Sequence, residues 1–276
     1  MISILSDFGL EDTYVAAMKA VIHAIAPSER ILDLTHAIHP GDVARGALEL
    51  WRIAPALPAD TVILAVVDPG VGTDRKAIAF QNSNFTCVGP DNGLFTFLLD
   101  QQALESAVEL TNPDYRSGFS STTFHGRDIF APAAAHIANG VALHELGDAV
   151  EQPVRLPSPR LEVDRPNSIR GEILYADRFG NLVTSIGVLA YQGSTFSLKP
   201  WVEGVDPLEV AEPDPAVALP DSTLLRLTNT FRDVPDGSLT AYIGSSGLLE
   251  IALNGGNASE HTGLQRGQTI ELKLQG

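Results

Sequence analysis

The chain has 276 residues, 44% of them hydrophobic, a length that accommodates one large domain or two modest ones. Its 18 basic and 34 acidic residues leave a formal net charge of −16, which repels phosphate backbones and argues against a nucleic-acid partner. A cationic small substrate is compatible with this charge.

Residues 1–152 alternate short apolar strands with helical stretches, which predicts an α/β amino-terminal domain with a mixed or parallel sheet flanked by helices. In chain order the segments are ISILS, the amphipathic TYVAAMKAVIHAIA, RILDLT, the helix VARGALELWRIA, TVILAVVDPG, KAIAF, FTCVG, the helix LFTFLLDQQ, AVEL and a last helix near DIFAPAAAHIANG.

The pattern changes after this domain. Four prolines in QPVRLPSPRLEVDRPNS predict a linker over residues 153–168. Residues 169–276 then hold β-type runs separated by Gly, Asn, Asp and Pro, which predicts a small all-β domain, an antiparallel barrel or sandwich. The runs are IRGEILYAD, LVTSIG, LLRLTN, LTAYIG, LLEIALN and TIELKL.

Two carboxylates follow strands of the first domain. Asp7 ends the first strand and Asp68 ends the third long strand, and open α/β sheets bind ligands at the carboxyl ends of their strands. A structural role is the alternative for each, because Asp7 also suits a helix cap or an Asx-turn and Asp68 suits a turn before Pro-Gly.

Arg75 and His125 are candidate partners of Asp68. Arg75 follows across a Gly-rich turn short enough for its guanidinium to fold back and hold the carboxylate. His125 lies in TTFHGRDIF, just before a predicted helix, where its imidazole can share a water with Asp68 and take part in proton transfer. A surface arginine and a structural histidine are the alternatives.

Other motifs in the first half favour structural roles. GPDNGLF matches neither the dinucleotide fingerprint nor the phosphate-binding loop, so it predicts a tight turn into a helix. His36 and His39 lack a third ligand at a convincing spacing, and we expect no metal. Cys87 lies in the apolar run FTCVG, which predicts a buried thiol and no disulfide within the chain.

In the second half, YADRFGNLVTSIG places Asp177, Phe179 and Asn181 around a turn between two strands. An asparagine can meet a purine edge as donor and acceptor, and a phenylalanine offers a stacking face. An ordinary hairpin is the alternative. In YIGSSGLLEIALNGGNAS, two glycines after Asn254 allow a ligand to approach bare backbone, although a plain hairpin explains most of this stretch.

No targeting segment is expected. The first twenty residues lack a basic start followed by an apolar core, and no run of eighteen uncharged apolar residues follows. We therefore expect a cytoplasmic protein with no membrane partner.

The ordered motifs LSDFGLED, VVDPGVGTDRK, GPDNGL, FHGRDIFAPAAAH, ADRFGN and SSGLLEIALNGGNA resemble the S-adenosylmethionine hydroxide adenosyltransferase family, relatives of the fluorinase and chlorinase. The similarity extends from residue 2 to the end. It implies an α/β domain joined to a small β-barrel and a homotrimer whose ligand lies between neighbouring subunits. It further implies cofactor-free hydrolysis of S-adenosylmethionine (SAM) to adenosine and methionine.

The resemblance also implies roles for individual residues. Asp68, Arg75 and His125 match the positions that activate water, whereas halogenases replace the Asp. The implied contacts with the nucleoside are Asp7 to the ribose hydroxyls, Asn181 to the adenine edge with Phe179 stacking or closing the pocket, and the backbone from Leu253 to Gly255 completing adenine recognition. The implied contacts with methionine are Asp12 and Asp177 to the ammonium, Ser245 and Ser246 to the carboxylate, and Glu250 near this end of the substrate. Halogenases have an arginine where Ser246 stands, so carboxylate binding here needs other donors.

The predicted reaction is an in-line displacement at ribose C5′ by water. A halide cannot be activated by a base, and a carboxylate at position 68 repels it. Three alternatives stay open: a halide-using SAM transferase like the chlorinase, a non-catalytic protein that binds adenosine or SAM, and a metal-dependent hydrolase.

Overall fold

The computed structural model describes residues 1–101, 103–118, 121–164 and 168–274. The chain divides into two compact units, Met1–Leu156 (unit 1) and Pro157–Gly276 (unit 2). This division falls within the segment 153–168 that the prolines mark as a linker. Four residues of that segment, Leu161–Asp164, form a strand, and residues 165–167 lie outside the described residues.

The described part of unit 1 contains strands and helices in the order that the sequence predicts, alternating as far as β3. In chain order they are β1 (Ile2–Ser6), α1 (Tyr14–Ile25), β2 (Ile31–Thr35), α2 (Val43–Ile53), β3 (Thr61–Val66), β4 (Ala77–Gln81), β5 (Phe85–Pro90), α3 (Thr96–Gln101), β6 (Ser106–Glu109) and α4 (Ala131–Ala138). The strands form a mixed sheet in the order β2-β1-β3-β5-β4-β6, in which β4 runs antiparallel to both of its neighbours.

Helices cover both faces of this sheet because its central strands are apolar on both sides. Along β3, alternate residues Val62, Leu64 and Val66 pack with α1 and α4, whereas Ile63, Ala65 and Val67 pack with α2 and α3. This period of two is that of a strand. Each fully buried Val, Leu or Ile contributes about 1.5–3 kcal/mol to folding, so the two cores fix the sheet whose edge carries Asp7 and Asp68.

Unit 2 consists mainly of strands. They are β7 (Leu161–Asp164), β8 (Ser168–Ala176), β9 (Leu182–Thr184), β10 (Leu189–Gln192), β11 (Thr195–Leu198), β12 (Leu208–Ala211), β13 (Ala216–Ala218), β14 (Leu224–Thr228), β15 (Leu239–Ile243), β16 (Leu249–Leu253) and β17 (Thr269–Lys273), with helix α5 (Ala258–Thr262) before the last. One sheet has the order β17-β13-β14-β15-β16-β9-β8-β7, and the pairing of β17 with β8 closes it into a barrel. Strands β10 to β12 form a separate antiparallel sheet.

The barrel is confirmed, but the prediction of an antiparallel, all-β domain is wrong in two details. Strand β14 pairs in parallel with β15, because the connection 229–238 carries the chain back to the starting end of β14 instead of making a tight hairpin. Helix α5 adds a helical turn, which Asn257 caps by accepting a hydrogen bond from the Glu260 N–H. Strands β7 and β10 to β13 were not predicted, since runs of three or four residues show little periodicity.

Within the described ranges, no helix has the length and hydrophobicity needed to cross a membrane.

Candidate active site

Asp7 and Asp68 lie at the same edge of the unit 1 sheet. Asp7 directly follows β1 and Asp68 comes shortly after β3, and these parallel neighbours pair with Ser6 opposite Val66. Asp7 Oδ2 accepts a 2.8 Å hydrogen bond from the Gly41 N–H. Burial raises the pKa of Asp7 despite this bond, and the charge of Asp68 adds to the rise. The two carboxylates therefore lie together as the strand pattern predicts, while their roles stay predictions.

Arg75 holds Asp68 in a bidentate contact. Its Nε lies 2.9 Å from Asp68 Oδ1, and its Nη2 lies 2.5 Å from Oδ2. Only 10% of the Arg75 side chain and 5% of the Asp68 side chain are exposed. The turn between them is closed by Thr73, whose hydroxyl donates to the Gly70 carbonyl at 2.7 Å. A two-point contact of this kind fixes the plane of the carboxylate.

The same guanidinium reaches His125. Its Nη2 lies 2.7 Å from His125 Nδ1, and its carbon lies 5.2 Å from the centre of the Phe130 ring. A guanidinium stays protonated and only donates hydrogen bonds, so Nδ1 accepts and the ring carries its hydrogen on Nε2. Burial lowers the pKa of His125, and the charge of Arg75 lowers it further. Asp68, Arg75 and His125, called the triad below, thus form one contact chain with the arginine at its centre.

A π-helical turn, Gly126–Phe130, begins directly after His125 and continues into α4. On this turn the carboxylate of Asp128 is 4% exposed and accepts bonds from Arg127 Nε at 2.6 Å and from the Ser121 N–H at 2.9 Å. Although burial raises it, the bond from Arg127 lowers the pKa of Asp128 overall. Asp128 therefore ties the segment before His125 to the helix that follows it.

Sequence reasoning missed the groups that hold the triad's backbone. Asn92 Nδ2 donates to the Val67 carbonyl at 2.8 Å, directly before Asp68. A Cβ on Gly72, whose φ is +80°, would lie 2.8 Å from the Thr122 carbonyl oxygen, so this glycine allows the Asp68–Arg75 turn to approach the segment before His125. The only available signal was GPDNGL itself, which predicts a turn but not its contact.

In unit 2, the turn between β8 and β9 is organised by Asp177. Its Oδ1 accepts from the N–H groups of Phe179 at 2.8 Å and Asn181 at 2.9 Å, and Asn181 Nδ2 donates to Oδ2 at 3.2 Å. Gly180 within the turn has a φ of +84°. The Phe179 ring is 76% exposed. The structure accordingly brings these three residues together as a turn, and their contacts with substrate stay predictions.

The turn between β15 and β16 carries the two candidate serines. Ser245 is exposed, whereas the Ser246 Oγ is buried and has no hydrogen-bond partner among the described residues. An unsatisfied buried hydroxyl costs about 1–3 kcal/mol, so Ser246 is the better placed of the two to gain from a polar ligand.

Strand β16 carries the remaining candidates. Glu250 is 7% exposed and accepts a 2.8 Å bond from the Tyr242 hydroxyl. Burial raises the pKa of Tyr242, and the bond to Glu250 raises it further. Leu253 ends the strand, and Gly255 follows with a φ of +76° and open space where a side chain would stand. Bare backbone is therefore accessible there, as the two glycines predict.

The structure also places the other predicted features of unit 1. Asp12 is exposed in the segment before α1, and Cys87 is buried as predicted. Among the described residues, no three or more His, Cys, Asp or Glu side chains are grouped to hold a metal ion. A polar cavity that includes Asp60 and Asn84 lies by the first residues of β3 and β5, at the sheet edge opposite to Asp68.

Family comparisons agree with this two-unit architecture. Residues 2–147 match the family model "SAM hydroxide adenosyltransferase N-terminal domain", and residues 171–271 match the model of the C-terminal domain. The chain belongs to the SAM hydroxide adenosyltransferase family.

Comparisons with individual proteins support the same family. The chain is 42% identical over 277 residues to an (R)-S-adenosyl-L-methionine hydrolase of Salinispora arenicola, with 98% of this chain and 97% of that protein covered. It is 25% identical over 305 residues to a fluorinase of Nocardia brasiliensis, covering 99% and 97%. A crystal structure of an uncharacterized conserved protein from Thermotoga maritima superposes with a TM-score of 0.84 at 34% identity and covers 99% of this chain and 100% of that one.

Proposed function

We propose that this protein hydrolyses S-adenosyl-L-methionine to adenosine and L-methionine by attack of water at ribose C5′. The observation that carries the proposal is the triad, a carboxylate held by a guanidinium that also contacts an imidazole. The 42% identity to a relative named as a SAM hydrolase supports it. A carboxylate at position 68 favours water over a halide, because it can take a proton from water and repels an anion.

Asp68 is the proton acceptor in this mechanism. The C5′–O bond forms as the C5′–S bond breaks, and methionine leaves as a neutral thioether with the bonding electron pair. The water gives one proton to Asp68, which then releases it to solvent. His125 cannot be the base in this arrangement, since Arg75 occupies the Nδ1 lone pair and Nε2 carries hydrogen. The Nε2–H group instead donates to the water oxygen and orients it. Such alignment of nucleophile and carbon contributes up to about 7–11 kcal/mol.

Other residues bind the two ends of the substrate. Asp7 holds the ribose hydroxyls, Asn181 meets the adenine edge, and Phe179 stacks on the base or closes the pocket. The methionine end and the rest of the base are bound by Asp12 and Asp177 at the ammonium, Ser245 and Ser246 at the carboxylate, Glu250 nearby, and the backbone from Leu253 to Gly255 at adenine.

The test is product analysis after incubation with SAM in ¹⁸O-labelled water. We expect adenosine and methionine in equal amounts, with the label in the 5′-hydroxyl of adenosine. Label elsewhere, or no adenosine, contradicts the proposal. A second incubation with 5′-chloro-5′-deoxyadenosine and methionine distinguishes a halide-using transferase, which would form SAM. Adenosine that is bound tightly without SAM turnover would indicate a binding protein.

We further propose that the substrate is the (R) sulfonium epimer, the one in the name of the Salinispora relative. Separate assays with the two epimers test this, and equal rates would contradict it. We also propose that no cofactor takes part, so dialysis against a chelator leaves the rate unchanged. A rate restored only by added metal would favour a metal-dependent hydrolase.

We also propose a homotrimer with sites shared between subunits, as the resemblance implies, and a cytoplasmic location. Light scattering tests the mass. Co-expression of Asp68→Asn chains with Asn181→Ala chains tests the sharing, because mixed trimers then contain some sites with neither change, and these turn over SAM with the KM of the unmodified chain. If mixed trimers show only the raised KM of the Asn181→Ala chain, each site belongs to one chain.

A further inference from the structure

Ser6 and His36 form a buried contact beside Asp7 that the proposed mechanism leaves unused. Ser6 is the last residue of β1 and has no exposed surface, and its Oγ lies 2.8 Å from His36 Nδ1. His36 directly follows β2, and its side chain is 4% exposed. Because β1 and β2 are parallel neighbours, the contact joins the two segments that leave the sheet at the edge of Asp7.

The carboxylate of Asp33 sets the direction of the hydrogen bonds through this contact. His36 Nε2 lies 3.2 Å from Asp33 Oδ1, an ion-pair distance without hydrogen-bond geometry, so the hydrogen of a neutral ring is more favourable on Nε2 than on Nδ1. Nδ1 then accepts from the Ser6 hydroxyl, whose oxygen accepts from the Phe8 N–H at 3.3 Å. Lys19 Nζ lies 2.6 Å from the other oxygen of Asp33. A carboxylate on the far side of an imidazole fixes its tautomer and orientation.

The joined segments also hold the Asp7 carboxylate. The Gly9 N–H donates to the His36 carbonyl at 2.8 Å, and the Gly41 N–H donates to Asp7 Oδ2 at 2.8 Å. Gly41 has a φ of +77°, and a Cβ there would lie 3.6 Å from Pro69 Cβ, so its segment also contacts the residue after Asp68. A shift of His36 therefore shifts both the segment that carries Asp7 and the N–H group that orients it.

We propose that Ser6 and His36 are positioning residues that hold Asp7 in the orientation in which it binds the ribose hydroxyls. The inference rests on the proposed function, in which Asp7 has that role. Ser6 and His36 are enclosed by protein and so act through Asp7. The chemical step depends on the triad, so the loss of this contact weakens substrate binding and leaves the step itself intact.

The first test is Ser6→Ala. We expect KM for SAM and Kd for adenosine to rise about tenfold, the effect of one buried hydrogen bond, with kcat changed less than about twofold. Thr61→Val is the matched control, because it removes a buried hydroxyl that donates to the Pro58 carbonyl at 2.6 Å by the opposite edge of the sheet. The two variants should lose similar Tm, and only Ser6→Ala should raise KM. If the KM of Ser6→Ala changes no more than the KM of Thr61→Val, the proposal is overturned.

Two substitutions of His36 separate its hydrogen bond from its volume. His36→Leu removes the acceptor and should match Ser6→Ala. His36→Asn places a carbonyl oxygen near the position of Nδ1 and should keep KM within about threefold of the unmodified chain. An Asn variant as impaired as the Leu variant contradicts the role of the acceptor.

The decisive test is a double-mutant cycle with Asp7→Ala, read by calorimetry of adenosine binding. If Ser6 acts through Asp7, Ser6→Ala has no further effect on Kd once Asp7 is removed. If Ser6→Ala raises Kd by the same factor in the unmodified chain and in Asp7→Ala, the proposal is overturned. A chain that binds adenosine but does not hydrolyse SAM would instead overturn the proposed function, and the cycle would still report on Ser6.

Discussion

The two units prepare their candidate residues in different ways. In unit 1, two distant segments supply the triad, the Asp68–Arg75 turn and the residue before the π-helical turn, and contacts of 2.5 Å to 2.9 Å join the three side chains. In unit 2, Asp177, Phe179 and Asn181 come from a single turn, and the bonds within that turn shape its backbone while the phenyl ring stays exposed. A rigid arrangement suits bond making, whereas an exposed turn suits contact with a ligand. Changes in the triad should therefore lower kcat, and changes in this turn of unit 2 should weaken binding.

The largest effect is expected from Asp68→Asn. The amide cannot take the proton, so kcat for SAM hydrolysis should fall about 10³-fold while adenosine binding changes little. Asp74→Asn is the matched control, because Asp74 is an exposed carboxylate in the same turn. Steady-state kinetics and calorimetry measure both quantities. Near-normal turnover of Asp68→Asn would show that Asp68 is not the proton acceptor.

Substitutions at His125 should have a smaller effect, and their size depends on the replacement. Glutamine keeps an N–H donor near the position of Nε2, so His125→Gln should lower kcat about tenfold and His125→Ala about 100-fold. The ratio of the two rates is the measurement. Equal inactivity of both variants would make His125 the base and contradict the tautomer deduced from Arg75.

Asn181→Ala tests the other half of the comparison. Since its proposed contact is with adenine, Kd for adenosine and KM for SAM should rise together by about tenfold, with kcat little changed. Arg178→Ala is the control, because Arg178 is exposed in the same turn. Calorimetry that finds adenosine affinity unchanged would refute this role, and a loss of kcat alone would place Asn181 with the triad.

The smallest effect concerns stability. Burial raises the pKa of Asp7, so its ionised form is less favourable in the folded chain than in the unfolded one. The loss in the free energy of unfolding caused by Asp7 is largest at pH values above its pKa in the folded chain. The loss disappears as the pH falls towards 3.8, the ordinary pKa of an aspartate. Asp7→Asn should thus raise Tm at pH 7 by about 1–3 °C, a gain that shrinks on acidification, while adenosine binding weakens.

Thermal melts across this pH range measure the gain. Asp12→Asn, an exposed carboxylate in the same segment, is the control and should leave Tm unchanged. A lower Tm for Asp7→Asn at pH 7 would mean that the bond from Gly41 outweighs burial.

The elements of the chain differ in how far their sequence predicts them, for physical reasons. Strand β3 is apolar after Thr61, β1 is apolar except at its two serines and α1 is amphipathic, so their pattern predicts both the elements and the sheet edge where Asp7 and Asp68 meet. The parallel pairing of β14 with β15 was missed, because nothing in a loop sequence states to which end of a strand the chain returns. The contact between Asn92 and the Val67 carbonyl was missed because it joins residues 25 positions apart.

The sequence by itself determined the strand and helix pattern of unit 1, the strand-rich second half and the family, because these depend on residue periodicity and on motifs in order along the chain. Only the tertiary structure decided that Arg75 contacts both Asp68 and His125, and that this contact sets the hydrogen on His125 Nε2. Hydrogen-bond direction depends on which atoms face each other in space, and atoms brought together from distant segments leave no periodic trace in the sequence.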